Sequence, residues 1–196
     1  QQLCDISSFA GGTWLPSGDI LLAQFGSANA RLFRVADQGG VPVEVARQIG
    51  NESATAYVGP TWLPGAGRFL YLGWSVTMGE RALYAGSLDG SPPVRLVASD
   101  SVGAYAEPGF LLFVRASTLF AQRFDASSLE VSGEPTRVAD DVAINNLTGR
   151  ASFAVSQTGV LAYRTAGGAQ NVSDLAWLDR TGKAIGTVGD ARTYYQ

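Results

Sequence analysis

The sequence predicts an all-β chain made of about four similar four-stranded units. Three observations carry that expectation. Runs of about 5–7 residues rich in Val, Leu, Phe and Tyr are bounded by Gly, Pro, Asp or Ser, which is strand-and-turn chemistry. The chain holds 24 Gly and 8 Pro while remaining 46% hydrophobic. Such dense punctuation in a sequence able to bury a core means many short elements joined by tight turns. Third, a pattern recurs: Trp14 and Trp62 each stand in T-W-L-P, about fifty residues apart, within the range of blade-sized repeats. Long apolar patterns of helical period are absent.

The first copy reads GTWL, a PSGD turn, ILLAQF, RLFRVA, a DQGG turn and VPVEVA. The second reads GPTWL, PGAG, RFLYLGW, ALYAGS, LDGS and PVRLVA. In the third, GAYA, EPG, FLLFVR and TLFAQRF lead into a turn, DASSLEVSG, and a last strand, EPTRVA. The fourth runs ASFAV, SQTG, VLAYR, SDLAWLD, RTGK and AIGTVG. Four strands in a unit of roughly 40–50 residues is the period of a β-propeller blade. The second strand of each copy is apolar on both faces, as expected of a strand held between two stacked sheets. Blades are expected at 12–47, 58–99, 103–140 and 151–190, with 1–6 as the last strand of a preceding blade and 191–196 opening a further one. On this reading the chain is a β-propeller segment cut from a larger ring. Exposed sheet edges and one bare inter-blade face then predict self-association. The Trp of the first strand is expected to pack between blades.

The 196 residues carry 14 Lys and Arg against 17 Asp and Glu, for a net charge of −3. Basic residues are scattered singly, so no nucleic-acid surface is expected. Nothing here predicts attraction to an anionic membrane, and no apolar run reaches the roughly 18 residues of a membrane helix. The N-terminal QQLCDISSF lacks the pattern of a signal peptide. Cys4 is the single cysteine, which excludes an intrachain disulfide and reads as a small core residue.

There is no His, which removes Ser-His-Asp and Cys-His catalysis and His-bearing zinc sites from this segment. GWSVT at Gly73–Thr77 lacks the closing Gly of a nucleophile elbow. GAGRFL at Gly65–Leu70 reads as a β-turn rather than a dinucleotide fingerprint, and no Walker loop occurs. Asp140 and Asp141 point to opposite faces of a strand and are poorly placed as a catalytic pair. Asp37, Asp89 and Asp179 precede last-hairpin turns, where Asp bonds its own turn backbone. Asn51, Asn146 and Asn171 stand in glycosylation-type triplets. No catalytic, cofactor-binding or metal-binding residue is expected, and no cofactor. Binding is expected on blade loops and axial channel mouths. The longest loops are read at Gln48–Gly59, Ala126–Gly133 and Asp140–Arg150. Asn145, Asn146 and Arg150 are the residues there suited to face a ligand.

GGTWLPSGDILLA, LFRVADQGGVPVEV, TWLPGAGRFLYLG, LYAGSLDG and GVLAYRTAG resemble the TolB-like, WD-type propeller that follows bacterial serine/threonine protein kinase domains. The resemblance covers essentially the whole chain and is best over Leu96 to Val142, where GFLLFVR, LFAQRFD and L-x-x-x-G-E-P follow one another. The S-P-D-G turn of TolB-like repeats stands here as LPSGD and LPGAGR. The resemblance implies an extracytoplasmic, periplasmic sensor or scaffold module on a membrane-anchored kinase. Its partner would be a protein, peptide or glycan ligand bound through blade loops. None of the kinase motifs is present in this segment, so no functional residue is carried over. Two other expectations stand beside it: the substrate-gating propeller of a prolyl-oligopeptidase-type peptidase, and a free-standing periplasmic TolB-like interaction protein.

Overall fold

A computed structural model describes residues 2–25, 31–47, 54–65, 67–156, 158–166, 176–178 and 184–187. They form strands, one 3₁₀ turn at Met78–Glu80 and no α-helix among the described residues. The first copy folds as β1 (Phe9–Trp14), β2 (Ile20–Gln24), β3 (Arg31–Val35) and β4 (Val43–Arg47). The second gives β5 (Ala56–Trp62), β6 (Arg68–Trp74), β7 (Ala82–Ser87) and β8 (Val94–Ala98). The third gives β9 (Ala104–Ala106), β10 (Phe110–Arg115), β11 (Thr118–Asp125) and β12 (Glu130–Ala139). Each is a four-stranded antiparallel meander with strands in chain order, the sheet a propeller blade requires.

Stacking follows from the second strands. Along β6, Phe69 and Tyr71 enter one core with Leu21, Ala23 and Leu32 of the first sheet. The alternate residues, Leu70 and Leu72, enter a second core with Leu111, Phe113 and Phe124 of the third sheet. On β10 the sequence divides the same way, with Leu112 and Val114 facing a third core. Side chains alternate across a strand, so a continuously apolar strand must be covered on both sides. Phe69, Leu72, Leu111 and Phe113 are fully buried. Each such side chain contributes about 1.5–3 kcal/mol by leaving water.

Polar bonds tie neighbouring sheets as well. The Arg68 guanidinium donates to the carbonyls of Ala126, at 3.2 Å, and Ser127. Arg115 Nη2 donates to the Ala98 carbonyl at 3.0 Å, and Asp100 Oδ2 accepts the Ala116 N–H at 2.7 Å. Trp74 collects contacts from three directions. Phe25 meets it edge-on with ring centroids 5.6 Å apart. The buried Arg81 guanidinium lies 4.7 Å from its ring centre, and its indole N–H donates to the Asn146 carbonyl at 3.2 Å.

Several expectations need correcting. The segment 126–133, read as a loop, becomes strand from Glu130 onward. Gly133, at φ 66°, lies in a register irregularity that bends β12 without ending it. The Asp140–Arg150 loop contains a short hairpin, β13 (Ile144–Asn145) with β14 (Arg150–Ala151). The fourth copy lies partly outside the described residues. Its described strands form two hairpins, β15 (Phe153–Val155) with β16 (Leu161–Tyr163), and β17 (Ala176–Leu178) with β18 (Ala184–Thr187). They belong to two compact units, Gln1–Ala166 and Gly167–Gln196, and a long Gly- and Asn-bearing stretch of sequence separates them where the other copies turn tightly. Residues 2–6 form no strand, although the Leu3 carbonyl accepts the Gly40 N–H at 2.9 Å. Residues 191–196 lie outside the described residues, as do 48–53 of the first long loop. Cys4, expected in the core, is half-buried.

Tyr71 sits in the first core against Tyr57 and Tyr84, with centroids 4.7 and 5.6 Å away. Burial, and then the neighbouring tyrosines, push its hydroxyl far above the usual range. In the unfolded chain the same group ionises near pH 10. Stability is therefore unaffected below that pH and falls as pH rises past it, by at most about 1.4 kcal/mol per pH unit. Urea melts of the wild type and Tyr71→Phe at pH 9 and 11 should show the steeper loss in the wild type. The variant should start about 1 kcal/mol lower through its lost bond to Tyr57. Equal pH slopes would contradict this account.

Candidate functional site

The first strands of the sheets converge at one level and separate at another. At the convergence, a Cβ on Gly11 of β1 would lie 3.0 Å from the Cα of Gly59 in β5. Gly59 adopts φ 56° at a bulge between Val58 and Thr61, and Val102 fills the space beside it. The Val102 N–H in turn donates to the Gly149 carbonyl at 2.8 Å. Only residues without a side chain let these backbones pass so closely.

Further along β5, on its way past β9 and β15, a cleft of about 710 Å³ opens, a volume typical of ligand sites. Its walls come from three copies of the repeat: Trp62 and Pro64 at the end of β5, Tyr105 and Glu107 on and after β9, and Val155 and Ser156 at the end of β15. Trp62 is half-buried and packs along the first core. The ring of Tyr105 is held edge-on against Phe124 at 6.2 Å, and its hydroxyl donates to Glu107 Oε2 at 3.3 Å. Burial, with the Glu107 carboxylate next, raises the Tyr105 hydroxyl above its ordinary range. It therefore stays a donor at neutral pH. Glu107 is the single charged side chain among the described residues of the lining. The described residues of the cleft thus combine two aromatic side chains, apolar walls, three hydroxyls and one carboxylate, a set able to bind and orient a ligand.

The inter-blade role expected for the first-strand Trp is corrected for Trp14, which is 62% exposed, whereas Trp62 packs against the core between the first and second sheets while also lining the cleft. The next residues, Leu15 and Leu63, are the buried ones. Neighbouring side chains on a strand point to opposite faces, so burying Leu15 turns Trp14 away from it.

The other singled-out residues have local partners. Asp89 Oδ1 accepts the Ser91 N–H at 2.8 Å. The Ser91 and Ser87 groups lower its carboxyl to about 2. Asp125, which the sequence reading passed over, does the same in the third copy, accepting from Ser127 N–H at 2.7 Å; the Ser127 and Ser128 bonds lower its carboxyl too. Asp179 lies outside the described residues, as do Asn51 and Asn171. Asp140 pairs with Arg137 and accepts from Thr118. Asp141, at φ 53°, accepts the Ala166 N–H on its backbone carbonyl. Asn145 Oδ1 takes the N–H of Leu147 and Thr148 at 3.0 and 3.2 Å, closing its own hairpin. Asn146 and Arg150 are exposed but are not part of the cleft. Ser75, in GWSVT, is buried and spans the Thr77 N–H and the Glu80 carboxylate. Gly67 N–H bonds the Gly65 carbonyl at 2.7 Å, the tight turn expected of GAGRFL. Among the described residues no group of three or more His, Cys, Asp or Glu is placed to hold a metal ion.

No protein-family model matches the chain, and no curated protein matches it. A solved structure of a puromycin-hydrolysing peptidase from Mycobacterium tuberculosis is similar at 14% identity and a TM-score of 0.47. The match covers 92% of this chain and 33% of that one, so the chain spans about a third of the peptidase's length.

Gly59→Ala tests the convergence. An added Cβ would lie 2.5 Å from Val102 Cγ1 in a backbone conformation that L-residues avoid. Because Val102 is branched at Cβ it cannot swing clear, so a loss of about 2–4 kcal/mol is expected from clash and strain together. A urea midpoint within error of wild type would show that the strands do not approach this closely.

Proposed function

We propose that this segment is a non-catalytic recognition module, and that the cleft between the first strands of successive sheets receives a protein, peptide or glycan ligand. The observation that carries this reading is the convergence of Trp62, Tyr105 and Glu107, from separate copies of the repeat, on one cavity of ligand size. The absence of His from the sequence supports the non-catalytic part. The rigid stack beneath the cleft suits a binding surface whose occupant is reported to a tethered domain. The resemblance to kinase-linked TolB-like propellers makes a membrane-anchored serine/threonine kinase the tether proposed here, with the module outside the cytoplasm. Kinase motifs followed by about 20 apolar residues upstream in the reading frame would support that tether. A frame without them would overturn it, and a nucleophile elbow downstream would make the propeller a substrate gate instead.

The cleft itself is tested by filling it. Ala154 is exposed on β15 and lines the cavity, so Ala154→Trp adds bulk there while leaving the three cores untouched. Peptide and glycan panels screened on both proteins should yield binders that lose at least about tenfold in affinity on the variant, with thermal midpoints alike. Binders indifferent to the substitution would place recognition elsewhere and overturn the reading.

A further inference from the structure

The chemistry of the cleft narrows what it would hold. Among the described residues Glu107 brings the one formal charge in the lining, and no Lys or Arg pairs with it. The Tyr105 hydroxyl occupies one lone pair at 3.3 Å, leaving the remaining acceptor positions of the carboxylate for a ligand. Trp62 and Tyr105 supply π faces from two neighbouring sheets, and such faces attract cations. Pro64 and Val155 form apolar wall along which the methylene stem of a long basic side chain lies. A neutral sugar needs convergent donors as well as acceptors. Among the described residues the lining has no amide or cationic donor side chain, and its hydroxyls belong to Thr61, Tyr105 and Ser156. The excess of 17 acidic over 14 basic residues also sets no long-range barrier against a cation.

We propose that the cleft takes the side chain of an arginine or lysine presented by a peptide segment, its cation against Glu107 and its stem between Trp62 and Tyr105. This rests on the cleft being the binding site, and it goes further by fixing the ligand's charge. The carboxylate is exposed, so the charge pair and the ring contact together are worth a modest factor, about five- to tenfold in affinity at low salt.

The test uses four probes on the whole chain, followed by the indole N–H resonance of Trp62 and by calorimetry: Ac-Gly-Arg-Gly-NH₂, its citrulline analogue, its glutamine analogue and chitotriose. Citrulline keeps the shape of arginine and removes the charge. The arginine probe should move the Trp62 resonance and bind about five- to tenfold tighter than citrulline. Glu107→Gln should erase that difference, and raising the salt should shrink it. Equal binding of arginine and citrulline probes, or a Trp62 shift with the neutral peptides or chitotriose alone, would overturn the cationic ligand while leaving the cleft a binding site. Trp62 unmoved by any of the four would overturn both together.

Discussion

The structure depends on one constraint: the second strands of the second and third sheets, β6 and β10, are apolar on both faces and have to be covered twice. Phe69 and Tyr71 look one way and Leu70 and Leu72 the other. A solitary four-stranded meander covers neither side, so each sheet is stable only as a neighbour of another. That obligation turns a repeated sequence into a stack. It explains why the three cores are chained rather than separate: every interior sheet contributes to two of them. Side chains of Arg68, Arg115 and Trp74 then donate to the backbone carbonyls of Ala126, Ala98 and Asn146, adding polar bonds across the stack.

Stacking also makes the cleft. Once the sheets are face to face, their first strands are brought to a common line, and only glycine and bulged backbone allow them to touch at Gly11 and Gly59. Beyond that point the strands carry side chains and must diverge. The space they leave is lined by corresponding places of successive copies: Trp62, Tyr105 and Ala154, then Pro64, Glu107 and Ser156. Packing of the sheets and the position of the cavity are consequences of the same register. Variation at these few outward positions changes what the cleft holds without disturbing Leu63 or Ala106 behind them.

Much of this was legible in the residues and some was not. RFLYLGW and FLLFVR announce two-faced strands because nothing polar interrupts them, and Asp89 before a Gly-Ser turn announces its own hydrogen bond. The two T-W-L-P motifs are identical as text, yet Trp14 is exposed while Trp62 is half-buried. Burial is set by which neighbouring element covers a face, and that information is not local. Gly133 suggested the end of a loop where the strand merely bends, since a glycine in a bulge and one in a turn look alike in sequence. The cleft was missed for a related reason. Its residues stand about 45 positions apart and come together only through the stacking of repeats. A signal was present: superposing the copies on their first strands places Trp62 over Tyr105, and Pro64 over Glu107.

The claim that sheets are stable only through their neighbours is tested most directly by native-state hydrogen exchange on the wild type and Phe113→Leu. Phe113 lies on β10 in the core shared with β6 of the adjacent sheet. If the stack is one cooperative structure, the substitution lowers the protection of Leu70 and Leu72 amides by the same amount as those of Leu112 and Val114, about 1–2 kcal/mol. A loss confined to β10, with β6 unchanged, would show that each sheet stands on its own and would contradict the account.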